Sequence, residues 1–221
     1  MWNRARSNLS PPIAAALLCA SIGLGGAEPA ILSGWTFDGA QAGANSVPDG
    51  PQAKVERAVA VDGHSGKALS FEDWSVKNYL KPDPAQATRV VIPHDPKLIP
   101  SPPFRISAWI HPTADPIYYG GIVEKGRGFG ASYRLLLLRG LKVEASLGQQ
   151  NVSVRSSSPI SLNEWHEVVL LADSSALALM VDGKEAGRAT LAPGPKIAST
   201  EPLIIGERFT GRIDDVLISS P

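Results

Sequence analysis

From Ile31 onward, apolar side chains recur at every second residue rather than at the 3.6-residue spacing of a helix. Phe104-Arg-Ile-Ser-Ala-Trp-Ile110 shows this most clearly: Phe104, Ile106, Ala108 and Ile110 share one face, and Arg105, Ser107 and Trp109 share the other. Large side chains on both faces predict a strand inside a sheet rather than at its edge. Leu141 to Leu147 alternates as cleanly, with Leu141, Val143, Ala145 and Leu147 expected inward and Lys142, Glu144 and Ser146 outward. An extended segment of period two has one apolar face to bury, and a second sheet is the simplest cover for a chain made of such segments.

The punctuation agrees with this reading. The sequence holds 21 Gly and 19 Pro, concentrated between the alternating runs, where they set turns rather than helix ends. Asp38-Gly39, Asp62-Gly63-His64-Ser65-Gly66, Arg139-Gly140 and Asp182-Gly183 each read as a reversal, the last as a type I′ hairpin turn, which needs φ > 0 at both central residues. Residues 39–56 read as a long surface loop, 72–88 as an exposed insertion, and Pro93 to Pro103, with five prolines, as a connector. About a dozen short strands separated by turns predict an all-β fold, a two-sheet antiparallel sandwich.

Charge and address narrow the function. With 21 basic and 21 acidic side chains the chain has no charge excess, which excludes a basic nucleic-acid binder. Arg4 and Arg6, the apolar run Ile13 to Leu24 and the small residues Gly25 to Ala27 have the order of a secretory signal. Residues 1–27 are therefore expected to be a signal peptide and 28–221 one domain, secreted or held in the periplasm or at the cell surface. Retention as an anchor is the alternative, although the run is shorter than the ~20 residues that span a bilayer. No later segment reads as a membrane span. The one cysteine, Cys19, lies in this leader, and Leu18 before it disfavours lipid attachment.

Residues with catalytic potential are scattered. His64, His94, His111 and His166 show no H-x-H or H-E-x-x-H spacing; Glu164 and Glu167 are three apart and face opposite sides of a strand, while Asp214 and Asp215 are adjacent. Gly126-x-Gly128-x-Gly130 is followed by no helix and so is no phosphate loop, and Asn151-Val-Ser153 matches a glycosylation sequon only weakly. The aromatics are more informative. Trp35, Trp109 and Trp165 fall in alternating runs and are expected in the core, with Trp109 opposing the larger apolar face. Trp74, Tyr79, Tyr118 and Tyr119 fall where Pro and Gly interrupt pairing, so they are expected either to present rigid rings to a ligand or to fold back as plugs. Asp214 shares the parity of Val216 and Ile218 and is expected inward, where it needs backbone N–H groups or a metal as partners.

Six segments occur in an order that resembles one family: Gly66-Lys-Ala-Leu-Ser-Phe71, Phe104 to Trp109, Gly121-Ile-Val-Glu-Lys-Gly126, Asn163-Glu-Trp-His-Glu-Val168, Leu179-Met-Val-Asp-Gly183 and Gly211-Arg-Ile-Asp-Asp-Val216. Together they look like the laminin G-like branch of the concanavalin A-like lectin/glucanase superfamily. The resemblance implies a jelly-roll sandwich of two curved sheets, a scaffold shared by lectins, adhesion modules, glycosidases and lyases. It also implies ligands on the concave sheet, which adds Trp109 to the ligand-binding set, and a structural Ca2+ at a sheet rim held by Asp38 and Asp214. Hydrogen bonding of these two carboxylates to a loop is the other reading. Glucanase members carry E-x-D-x-x-E or E-x-D-x-E on one strand, and this sequence has neither. The expectation is a secreted, non-catalytic module that binds a glycan or an extracellular protein. A polysaccharide-active hydrolase or lyase, or a structural, adhesive subunit, are the alternatives.

Overall fold

The computed structural model describes residues 30–39, 41–73, 84–127, 131–148, 152–192 and 198–220. The expected signal segment and the candidate ligand residues Trp74 and Tyr79 lie outside the described residues. Among those described, the strands in chain order are β1 (Ile31–Trp35), β2 (Lys54–Glu56), β3 (Val59–Asp62), β4 (Lys67–Phe71), β5 (Arg89–Ile92), β6 (Phe104–Pro112), β7 (Tyr119–Lys125), β8 (Tyr133–Leu138), β9 (Lys142–Leu147), β10 (Val152–Arg155), β11 (His166–Ala172), β12 (Ala176–Val181), β13 (Lys184–Thr190), β14 (Leu203–Ile205) and β15 (Gly211–Ser219).

They pair into two antiparallel sheets. One runs β13-β12-β11-β6-β15-β4-β3, with β1 also on β15; the other runs β10-β9-β8-β7-β14-β5-β2. β6 hydrogen-bonds to β11 on one side and β15 on the other, the interior position that its two large faces predict. Its inward set, Phe104, Ile106, Ala108 and Ile110, is fully buried with Val168 and Leu170 of β11 and Ile213, Val216 and Ile218 of β15. Val123, Leu135, Leu137, Val143, Ala145 and Leu203 face them from the second sheet in the same core. Packing this close makes one truncation expensive: an Ile106→Ala change costs about 2–5 kcal/mol by loss of transfer energy and creation of a cavity.

Three expectations need correction. Residues 39–56 are not all loop, since Lys54–Glu56 form β2 and pair with β5. Leu141 is not an inward strand residue: it sits in the turn with φ 58, and β9 begins after it. Glu144 and Ser146 face away from the core as expected, although each is only 8% exposed. Tyr119 is no loop residue; it opens β7 opposite Leu138.

Candidate functional site

The site is built outward from β6. Trp109 lies on the face of β6 opposite the core, paired with Glu167 of β11 and Asp214 of β15, and is half-buried. A flat neighbour would leave it open to water. Instead the turn between β3 and β4 folds over β15 and lays His64 on it. The imidazole stacks on the Trp109 indole at 3.6 Å between centroids and 9° between planes. Trp165 closes the group edge-on, 5.9 Å from His64 and 5.3 Å from His111. His64 remains exposed while Trp109, His111 and Trp165 are half-buried, so the four rings form a platform with a solvent-facing side. The Nδ1 of His111 is buried there without a hydrogen-bond partner.

Two carboxylates hold the turn. Asp214 Oδ2 accepts the N–H groups of His64 at 2.9 Å and Ser65 at 3.2 Å, and its Oδ1 accepts the Asp215 N–H at 2.8 Å. Asp38 Oδ1 accepts the Lys67 N–H at 2.6 Å. Gly63 and Gly66 are needed for this approach: a Cβ on Gly63 would stand 2.5 Å from Asp214 Oδ2, and one on Gly66, which has φ +62, would stand 2.0 Å from Asp38 Oδ1. Any side chain at either position would push the turn off its anchors and lift His64 from Trp109.

Asp214 does not point into the core with Val216 and Ile218. Asp215 is an extra residue in β15, held at φ 46, and the register against β6 shifts between Asp214 and Leu217. The bulge flips the parity, so Asp214 is fully buried on Trp109's side of the sheet, under the turn. Burial pushes its carboxyl up, against the three N–H groups that favour the charged form, and the charge of Asp38 adds to the rise. Asp215 is pushed to about 7, by burial first and then by Asp214 and Asp38.

These donors do not suit a calcium ion between Asp38 and Asp214. The oxygens that face the turn already accept backbone N–H groups, whereas Ca2+ requires six to eight oxygen ligands. Among the described residues no group of three or more His, Cys, Asp or Glu side chains is placed to hold a metal ion.

Trp165 is not a core residue of β11. It precedes the strand, in the turn that begins at Ser161, and joins the platform. The same turn carries a contact set with the outline of a nucleophilic triad: Ser161 Oγ is 3.1 Å from His166 Nε2, and His166 Nδ1 is 2.8 Å from Asp182 Oδ2. Proton counting argues against that chemistry. The Ser161 hydroxyl gives its one proton to Glu164, a pure acceptor, and His166 Nε2 also faces the Ser161 carbonyl at 3.3 Å. Both ring nitrogens therefore meet acceptors, and His166 fastens one turn to the other instead of drawing a proton from Ser161.

The tyrosines lie elsewhere. Tyr118 is 55% exposed in the loop before β7. Tyr119 is half-buried on the outer face of the second sheet, with the Arg134 and Arg208 guanidinium groups 5.7 and 5.8 Å from its ring. Around it run the ion pairs Arg134–Glu124, Arg89–Glu207 and Arg89–Glu56. Burial pushes the Glu124 carboxyl up, with Arg134 opposing the shift. The structure thus separates Trp109 from Tyr119 and replaces the expected single group with Trp109, His64, His111 and Trp165. Neither histidine carried a sequence signal, but the tight Asp62 to Gly66 turn marked where a loop tip would project.

The strand order and the two facing sheets define a jelly-roll sandwich. The chain belongs to the concanavalin A-like lectin/glucanase superfamily, whose laminin G-like model matches residues 84–220. Among solved structures it is similar to domain 4 of AbnA, an extracellular arabinanase of Geobacillus stearothermophilus in complex with arabinotriose. That match has TM-score 0.67 and 15% identity, covering 88% of this chain and 94% of that one. It is also similar to the binding domain of Paraclostridial Mosquitocidal Protein 1, with TM-score 0.64, 14% identity and coverage of 87% and 48%. A third is botulinum neurotoxin type C, described as depending on two ganglioside molecules for cell entry, with TM-score 0.60, 11% identity and coverage of 80% and 44%. The chain spans less than half of each toxin chain, and identities of this size speak for the fold alone. No curated protein matches the sequence. Among the described residues no helix is long and apolar enough to cross a membrane.

Proposed function

We propose that residues 28–221 form an exported binding module that recognises a glycan through the platform of Trp109, His64, His111 and Trp165. The observation that carries this reading is the His64–Trp109 stack at 3.6 Å, held by a turn anchored on two carboxylates. Rings fixed in advance lose little freedom on binding, and their faces accept the C–H side of a sugar ring. Beside the platform Arg105 is already paired with Glu167 at 2.6 Å, so it offers no uncommitted cation to an anionic ligand. Solved structures of the same fold include an arabinanase domain with a bound oligosaccharide and toxin binding domains, which supports the ligand class without naming it. Tyr118, Trp74 and Tyr79 stay candidates for the far end of a longer ligand.

The test is a glycan array on the mature protein and on Trp109→Ala and His64→Ala. Both changes are expected to lower binding by about 1–3 kcal/mol, the size of other aromatic stacking contacts, with the melting temperature little changed. Array binding that both variants retain in full would remove the platform from consideration.

A further inference from the structure

The turn from Ser161 to Trp165 has two sides. Trp165 belongs to the platform, while Ser161 and the neighbouring His166 line a cleft of about 320 Å³ at the end of the sandwich. Asn163 pins the turn by donating its N–H to the Pro112 carbonyl at 2.8 Å, one residue beyond His111. Platform and cleft are therefore adjoining surfaces of one rigid segment. The volume lies at the small end of the range for ligand sites, enough for one sugar residue and too little for a length of chain.

We propose that this cleft is a second binding site, which takes a single neutral sugar residue, the end of a glycan whose next residues lie on the platform. The cleft's side chains set that class. Ser157 and Ser158 place hydroxyls along it, and Lys184 adds donors, a lining that matches groups able both to give and to accept hydrogen bonds. Ile160 and Val181 supply an apolar patch for the C–H face of a ring. The two lining carboxylates are already engaged: Asp182 by His166 and the Glu167 N–H, Glu185 by Arg188. A cationic ligand would find no uncommitted carboxylate among them, and an anionic one would meet both carboxylates against the single ammonium of Lys184. The His166 bridge from Ser161 to Asp182 holds both walls at fixed spacing, so the cleft exists before a ligand arrives. This inference deepens the glycan reading of the platform and rests on it for the direction of the chain, but occupancy of the cleft is measurable alone.

The experiment is a backbone and indole NMR titration of the mature protein with glucose, galactose, mannose, arabinose and myo-inositol, each beside glucose 6-phosphate and glucosamine as charged probes. At least one neutral compound should shift the amides of Ser157, Ser161 and Lys184, and the charged probes should bind more weakly. Ser158→Trp and Lys184→Trp, at exposed positions on opposite walls, should each weaken that binding by about tenfold or more with the fold intact, since both fill the cleft. Shifts confined to the Trp109 and Trp165 indoles would overturn the cleft and leave the platform standing. No shift with any neutral compound, or shifts unchanged in both cleft-filling variants, would overturn it as well. Loss of the platform reading would show separately, as array binding of longer glycans that Trp109→Ala does not reduce.

Discussion

Asp215→Asn should make the protein more stable in mild alkali and leave it nearly unchanged in acid. Asp215 sits in the β15 bulge beside Asp214 and Asp38, and no cation lies among its causes of perturbation. Its folded-state value rises from 3.8 to about 7. The sign follows: a raised value means that folding favours the protonated acid. The contribution of this group to stability is therefore complete below pH 3.8 and is lost as pH rises through about 7. At full weight that interval corresponds to about 4 kcal/mol, and because the side chain is partly exposed, solvent screening reduces the expected effect to about 2 kcal/mol. Asn is the suitable replacement because the residue has φ 46, a region that Asn tolerates and that most other side chains do not. Urea unfolding of both proteins at pH 5 and pH 8 measures the effect. The decisive quantity is the difference between the proteins, in which the terms common to both cancel. A mutant with the same loss of stability from pH 5 to 8 as the parent would refute the reasoning.

Three further outcomes are expected. Lys125 is fully buried, donates to the Ser199 and Glu201 carbonyls, and is lowered to about 8 by burial; the parent should gain stability between about pH 8 and 10.5 as the amine is neutralised in the folded state first, and Lys125→Met should lack that gain in the same unfolding assay. Chelation should leave the melting temperature unchanged, while Asp214→Ala lowers it because the loss of three N–H partners costs about 1–3 kcal/mol of stability; a chelator-dependent fall in calorimetry would restore calcium to Asp38 and Asp214. N-terminal sequencing of exported protein should begin at Glu28, and a start at Met1 would mean that residues 1–27 stay on as an anchor.

What was readable from the sequence is what local chemistry controls. Alternation in Phe104 to Ile110 placed one set of side chains in a core and Trp109 opposite it, because successive residues of an extended chain point to opposite faces whatever the tertiary context. The Asp182-Gly183 turn was legible for the same reason: its φ values of 50 and 73 are a local demand that few residues meet. The family series was legible because these local signals recur in a fixed order.

The site was only partly legible. Trp109 was within reach of the sequence, but nothing in it brought His64 to the indole, since that contact depends on a turn folding across β15 onto two carboxylates far away in the chain. Asp214 was assigned to the core face because parity counting assumes an unbroken strand, and one residue at φ 46 reverses every side chain before it relative to those after it. Trp165 looked like strand core because its neighbours alternate, yet the strand starts one residue later. Period and turn chemistry are set by a residue and its neighbours, so the sequence by itself determined the strands and the two-sheet architecture. Bulges, loop packing and cross-chain carboxylate contacts are set by what the rest of the fold presents, so only the tertiary structure decided which rings share a surface.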